Sequence, residues 1–600
     1  MYSYLDQSKH QIRLLRLLPS RGFDEIHCDL FTVSLDDPNE FEALSYVWGS
    51  EKDPIQIIIG GQIKDVTENL GLALRHLRND EKDRILWVDA VCINQDDQDE
   101  RSSQVQLMQR IYSCASLVVA WLGPHPKEYE QIIEAIRRLG NDSRLHWTAI
   151  PKMEDILLRL SIFLRNVWWS RIWTVQEAIL AKQVIYHCGK VHLSTHDITS
   201  MAASYRKHVH PNRCCGVLRI PGHGISVATS LTTAVENILQ LRRFQQRIRN
   251  ANFDEVAFLF RHRHATDPRD KIYGLLGISC GIRESSIDYH FSKDKVYELA
   301  TRDIISHNKN LNILSHVFHE RLGSPFSDQS VFWPKDTPSW VPNWAATDKQ
   351  ADGEIEFIRY RAPFLHHYNA CGTLTYKSMK DDPVGKLHLT GVRCGTVKAI
   401  SNSVCSQPLS TKVHTIKDWR DMSEMEKDPG KAYVGGDTVS EAFWRTLCLD
   451  IHTCDALSEG ETNFTRRADA EDRDAHLVYW YIQLSSHSTA TYQRKPGFAK
   501  MATEFIDHMS GAIMQRSFFI SREGYMGLGP LGIEVGDHLC VLAGGRAPFI
   551  VRAVQQSDDK ATSRFVCRFL GDCYIHGLMD GEAMKLVDDG VLQVEDFELI

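Results

Sequence analysis

Along the first third of the chain, apolar positions fall into two registers. Residues 41–48 (FEALSYVW), 85–93 (ILWVDAVCI) and 117–122 (LVVAWL) are short continuous apolar runs, as expected of strands buried on both faces. Between the second and third runs, Val105, Met108, Tyr112 and Ala115 recur at helical spacing. Strand, helix, strand is a βαβ crossover, which implies parallel strands and a right-handed connection. Residues 12–18 and 26–35 read as earlier strands divided by Pro19-Ser20-Arg21-Gly22, and 55–59 (IQIII) and 62–66 (QIKDV) flank Gly60-Gly61 as a two-residue hairpin. Thr67 is placed to cap a helix bearing Leu70, Ala73, Leu74 and Leu77 on one face, and residues 184–188 supply a further strand. This order predicts an α/β N-terminal domain built on a doubly wound parallel sheet, with the three apolar runs as neighbours.

Beyond residue 205 the pattern changes. Residues 206–345 read as mainly helical: Asp267-Pro268-Arg269-Asp270 starts one helix, and Ser292 caps another bearing Val296, Leu299, Ala300 and Ile304. The proline-punctuated segment 337–344 reads as a domain junction. From 346 onward, 386–400 and 517–570 carry short alternating strands and glycine turns, as in a small β-barrel, separated by charged helical or disordered stretches at 417–437 and 458–474. The expected division is therefore 1–205, 206–345 and a β-rich 346–600.

Composition narrows the class of protein. Six hundred residues exceed one hydrophobic core, and 43% hydrophobic with 24% charged residues is ordinary for a soluble globular chain. A formal net charge of −8 gives no reason to expect a nucleic-acid partner. The N-terminus lacks an apolar leader core, and no stretch is long enough to span a bilayer. Fifteen scattered cysteines without a C-x-x-C pair suit reduced thiols and a cytoplasmic protein.

Candidate chemistry gathers at the strand ends, where open α/β sheets bind ligands. Asp89, Asn94 and Gln95 fall there. A carboxylate inside an apolar run requires either a hydrogen-bonded structural partner or a ligand-facing position. Trp168, Trp169 and Trp173 are too large to leave clustered in water, so all three are expected to be buried. Glu177 follows Trp173 by one helical turn. Its two readings are a catalytic carboxylate and a helix residue paired with Arg171. The acidic run 96–100 has oxygen ligands for a divalent cation but reads better as a solvated helix start. Gly527-x-Gly529-x-x-Gly532 contains Pro530 and precedes strand-like sequence, so it is a turn and not a dinucleotide fingerprint. His208, His210, Cys214 and Cys215 have zinc-ligand types without a usual spacing, and no metal site is expected. Arg242, Arg243, Arg247 and Arg249 read as a solvated basic helix face.

The blocks at 41–49 (FEALSYVWG), 86–115 (LWVDAVCINQDDQDERSSQVQLMQRIYSCA) and 168–181 (WWSRIWTVQEAILA) resemble the heterokaryon-incompatibility (HET) domain of filamentous fungi. Residues 265–278 resemble the segment that commonly follows it, and 524–537 and 574–583 resemble the tail of one large subgroup. Val91 stands where the family usually has Ile. The resemblance implies fungal self/non-self recognition in which incompatible fusion triggers cell death. Its expected partners are a second copy of the chain or another incompatibility protein. It also implies a remote relation to the TIR fold, since Trp173 and Glu177 are similar to the TIR pattern of Trp with Glu four residues on. In enzymatic TIR domains that Glu cleaves nicotinamide from NAD. On this reading Glu177 is catalytic and NAD is the substrate. Ser45, Trp48, Gly49, Asp89, Asn94, Gln95 and Trp173 line its cleft, with Trp173 beneath Glu177. The alternative is a non-enzymatic assembly module making homotypic contacts.

Overall fold

The computed structural model describes all residues except 1, 22–23, 51, 125–129, 210–213, 217, 219–223, 248–250, 284–285, 320, 323–329, 332, 334–335, 347–360, 378–381, 402–408, 426, 455–463, 485–504, 507–508 and 555–563. The chain divides into two compact units, Met1–Val296 and Tyr297–Ile600.

The first unit is built on a nine-stranded sheet. Its strands are β1 (Gln11–Leu17), β2 (Ile26–Ser34), β3 (Glu42–Ser45), β4 (Ile55–Ile59), β5 (Gln62–Val66), β6 (Arg84–Trp87), β7 (Leu117–Trp121), β8 (Val184–Cys188) and β9 (Val191–Ser194), in the order β5-β4-β2-β1-β6-β3-β7-β8-β9. The three apolar runs are neighbours as expected: β3 lies between β6 and β7 and runs parallel to both, and β8 continues the parallel set. The sheet as a whole is mixed and not purely parallel. β1 pairs antiparallel with β2 and β6, and tight two-residue turns pair β5 with β4 and β9 with β8. The Gly60-Gly61 hairpin forms with both glycines at positive φ (56° and 81°), the conformation that a tight two-residue turn requires.

The apolar run at 85–93 is not one strand. β6 stops at Trp87, because the Val88 carbonyl accepts the N–H groups of Val91 and Cys92 and winds α2 (Asp89–Cys92). The run at 41–48 is shorter than expected in the same way, since pairing ends at Ser45.

Helices cover both faces, and α4 (Glu130–Asn141) and α5 (Met153–Leu164) follow β7 in the chain. On one face, α1 (Glu68–Leu77) starts at Thr67, whose side chain accepts from Leu70 N–H, and Asn69 Oδ1 accepts from Trp121 Nε1 at 2.9 Å. The register pairs Leu44 with Val119, two residues before Trp121, on that same face. On the other face lie Trp87, Ala43 and Ser45. Tyr112 of α3 (Gln98–Cys114) meets Trp87 edge-on at 5.6 Å, and α6 (Trp173–Leu180) reaches Ser45 through Glu177.

The helical segment after the sheet belongs to this unit. Two short helices, Phe253–Phe260 and Asp270–Leu276, brace α6. His264 N–H donates to the Ser170 carbonyl and Ile172 N–H to the His264 carbonyl, while a Cβ on Gly274 would lie 3.1 Å from Ile172. The buried Arg263 donates to Thr174 Oγ1 at 3.3 Å. A chain cut at residue 205 loses all of this support. We expect residues 1–296 to unfold in one cooperative transition and residues 1–205 to lack it, as followed by near-ultraviolet circular dichroism in urea. A cooperative 1–205 would contradict the bracing role of 253–276.

The second unit begins with helical segments and is rich in sheet towards its C-terminus. The long strand Leu387–Ile400 pairs with His538–Leu542 on one edge and Val594–Leu599 on the other. His538–Leu542 pairs onward to Phe549–Ala553, that to Phe565–Asp572, and that, in parallel, to Val594–Leu599. The circuit closes as a five-stranded barrel, from which Arg516–Ser521, Met526–Pro530 and Tyr574–Ile575 extend. Gly391 permits the closure: a Cβ there would sit 2.6 Å from Leu542 Cδ2 and 2.7 Å from the Val541 carbonyl. The Gly527-x-Gly529 string lies on a paired strand and not in a turn, and it opens no helix. Of the charged stretches, 417–437 holds the end of helix Leu409–Met422, and 455–463 lies outside the described residues.

Candidate active site at the strand ends

The C-terminal ends of β3 and β6 bring four of the expected residues together. Ser45, the last residue of β3, is buried. Its Oγ accepts from Trp168 Nε1 at 2.8 Å and donates to Glu177 Oε2. Trp48, three residues on, donates from Nε1 to Asp89 Oδ2 at 2.8 Å, and Ala90 N–H holds the other Asp89 oxygen at 2.7 Å. Gln95 closes the loop after α2 by donating from Nε2 to the Asp89 carbonyl at 2.9 Å.

Three anchors hold this edge. Asn69 Nδ2 donates to the Val47 carbonyl at 2.5 Å while its Oδ1 takes the Trp121 N–H, so one amide ties the chain leaving β3 to α1 and β7. Gly49, at φ 81°, turns that chain away and contributes no side chain. Arg13 of β1 is buried and forms a fork with Glu100, at 2.6 and 2.9 Å, while also donating to the Cys92 carbonyl. Glu100 Oε1 in turn accepts Asn94 N–H at 2.6 Å. Asn94 is thus held by its backbone as part of this scaffold.

Electrostatically the site is a carboxylate pair beside one guanidinium. Burial pushes Glu177 up to about 7; the Ser45 hydroxyl and the Arg171 charge oppose this, Asp89 adds to it, and Tyr112 favours the carboxylate. Asp89, only half-buried by exposed area, is also raised, again chiefly by burial, with Trp48 and Arg171 acting against it. Arg171 donates to the Tyr46 carbonyl at 2.5 Å, which fixes its guanidinium near both acids. The Tyr46 hydroxyl is buried at the same edge, and burial together with Asp89 drives its ionisation well above the ordinary range. Two acids disfavoured as anions form a site whose ionised state is stabilised by a cation.

Trp173 does not join them. Trp168 and Trp169 are buried as expected, but Trp173 is half-buried, and its indole supports the Asp270 carboxylate. The reason is α6's neighbour: Asp270, raised chiefly by burial, also accepts from the Tyr289 hydroxyl at 2.6 Å, and Arg101 stacks 3.8 Å above the Tyr289 ring. Tyr46, Tyr112, Trp168 and Arg171 are the site residues that sequence reading missed. Trp168 and Arg171 stood inside a block already singled out, but nothing in their spacing points to Ser45 or Tyr46.

The acidic run 96–100 is a helix start: Asp97 caps α3 by accepting Glu100 N–H at 3.0 Å, and Asp96, Asp97 and Asp99 are exposed. Among the described residues no helix is long and apolar enough to cross a membrane.

Comparison with known proteins follows the same division. Residues 41–177, from the start of β3 to Glu177, match the heterokaryon incompatibility protein (HET) family, and residues 456–591 match the Het-6 beta-barrel domain. No solved structure matches the chain. Among curated proteins, heterokaryon incompatibility protein 6, OR allele, of Neurospora crassa is 26% identical over an alignment covering 99% of this chain and 96% of the relative. The site's two halves, Ser45 and Glu177, are both inside the first match, and much of the five-stranded barrel is inside the second. The chain is thus similar to heterokaryon-incompatibility proteins in both regions, over residues 41–177 in the first unit and 456–591 in the second.

Proposed function

We propose that this protein is a cytoplasmic effector of fungal self/non-self recognition whose N-terminal unit, a TIR-like domain, triggers cell death by cleaving the nicotinamide–ribose bond of NAD. The observation that carries the reading is Glu177. It is a buried carboxylate at the C-terminal strand edge, bonded to Ser45, beside Asp89, and raised to about 7. A carboxylate held this way is costly to ionise without a cation nearby. Cleavage of the N-glycosidic bond develops an oxocarbenium-like cation on the ribose, so Glu177 gains most as the bond breaks. The nicotinamide ring of NAD is itself cationic and favours the same ionised state. Ser45 orients one Glu177 oxygen, Trp168 orients Ser45, and Arg171 holds the Tyr46 turn while its charge favours the ionised form of both acids. Asp89, with Trp48 on one oxygen, is placed to accept from a ribose hydroxyl. The similarity of Ser170–Glu177 to the TIR pattern, and the likeness to the Neurospora incompatibility protein, support the biological setting.

The pH profile tests it. Because the folded pKa of Glu177 is about 7 and the ionised form is the active one, nicotinamide release by the full chain rises through about pH 7 to a plateau. A profile that is flat from pH 5 to 8, or that falls across neutrality, would contradict a carboxylate stabiliser.

A further inference from the structure

The loop after α7 (Thr195–His208) gathers two histidines and two cysteines away from the strand-end site. The groups are His146, His208, Cys214 and Cys215, and one ligand atom from each lies within 4.8 Å of all the others. His208 Nδ1 is 3.0 Å from Cys214 Sγ, Cys214 Sγ is 4.0 Å from Cys215 Sγ, and Cys215 Sγ is 3.7 Å from His146 Nδ1. Tetrahedral zinc with Zn–S of about 2.3 Å and Zn–N of about 2.0 Å sets ligand–ligand edges of about 3.3–3.8 Å. The observed spacings bracket those edges.

A second feature points the same way. His208 Nε2 lies 2.9 Å from the Ser143 carbonyl, which only an N–H can satisfy. The proton is therefore on Nε2, and the Nδ1 lone pair faces the cysteines. Histidine ligands to metals are commonly fixed by this kind of N–H to carbonyl bond. Local structure then carries the other ligands to His208. Trp147, buried next to His146, donates to Ser204 Oγ at 3.2 Å and meets Tyr205 edge-on at 5.1 Å, which pins the His146 loop to α7. Cys215 N–H donates to the His208 carbonyl at 3.0 Å and folds the cysteine pair back over the helix end.

We propose that these four side chains form a structural Cys2His2 zinc site. It joins the connection between Glu130–Asn141 and Met153–Leu164 to the end of α7. Thiolates and imidazoles are the ligand set zinc prefers, and four protein ligands leave no position for catalysis. On binding, each cysteine loses its thiol proton to solvent and two neutral imidazoles donate lone pairs, so no redox partner is needed. The spacing in sequence hid the site, because His146 stands 69 positions before Cys215. His210, which sequence reading grouped with the cysteines, lies outside the described residues.

The test uses the full chain purified under reducing conditions, stripped with chelator and titrated with Zn²⁺ alone or Co²⁺ alone. We expect about one metal per chain, an upward shift in Tm with Zn²⁺, and a Co²⁺ spectrum showing intense tetrahedral d–d bands with thiolate charge transfer. Cys214→Ser and Cys215→Ser each abolish the charge-transfer signature or reduce it to that of one thiolate. His146→Ala, at an exposed position, keeps the far-ultraviolet circular dichroism of the parent while losing tight binding. Weak octahedral cobalt bands, uptake unchanged in Cys214→Ser or in the folded His146→Ala chain, or a Cys214–Cys215 disulfide in the reduced preparation would each overturn the proposal.

Discussion

Trp168→Ala is expected to destabilise the unit Met1–Val296 by about 3–5 kcal/mol, the usual cost of truncating a buried tryptophan. Trp168 is fully buried, packs edge-on against Trp169 at 4.9 Å and Tyr186 at 5.5 Å, and sits between β8 and the end of β3. Alanine removes the ring, leaves a cavity among aromatics that cannot collapse onto it, and deletes the indole N–H donated to Ser45 Oγ. Trp168→Phe separates these losses, because it keeps most of the apolar area but not the N–H. Its cost falls to about 1–2 kcal/mol, yet it leaves Ser45 free to turn away from Glu177. Urea unfolding of the full chain reads both, since the transition of the second unit serves as an internal reference. A Trp168→Ala midpoint equal to the parent's would contradict the packing.

Glu177→Gln is expected to stabilise the fold and abolish the chemistry. The sign follows from linkage. Glu177 has a folded pKa of about 7 against an ordinary 4.5, so the folded state binds its proton more tightly than the unfolded chain does. Stability is therefore complete below about pH 4.5 and falls as pH rises through 7. The loss is on the order of 3 kcal/mol at pH 8. Glutamine keeps the size and an oxygen for the Ser45 hydroxyl but carries no charge to desolvate. The variant is thus more stable than the parent at pH 8 and equal to it near pH 4.5. In rate, losing one well-placed electrostatic group costs about 100–1000-fold. A variant that gains stability as it loses activity marks a residue retained for chemistry. Equal stability of the two chains at pH 8 would show that Glu177 is not a strained anion.

The frame of this unit was legible because its signals are local. Apolar runs of strand length at β3 and β7, helical spacing from Val105 to Tyr112, and Gly-Gly between two strand-like pentapeptides each fix their own segment. Ser45, Trp48 and Asp89 were legible as a group, because strand ends of parallel neighbours meet by construction, and Glu177 was joined to them by the resemblance to the TIR pattern. What failed depended on distant chain. The break after Trp87 carries no Gly or Pro; it comes from the Val88 carbonyl taking two N–H groups. Trp173 is engaged by Asp270, 97 positions later, and not by anything within its own block. Arg171 reads in sequence only as a partner for Glu177, and nothing in its block points to the Tyr46 carbonyl that it meets. The barrel was legible as strands but not as a closed circuit, since closure rests on the parallel pairing of 565–567 with 597–599.

The most direct test of the central claim is nicotinamide release from NAD by the purified full chain and by Glu177→Gln, at pH 8 and matched concentration. Turnover by the parent and a drop of about 100–1000-fold in the variant are expected, with the variant's circular dichroism unchanged. No release by the parent, or equal release by both, would contradict catalysis at Glu177. If Glu177→Gln also triggered cell death as well as the parent at matched protein level, the N-terminal unit would act by homotypic assembly instead.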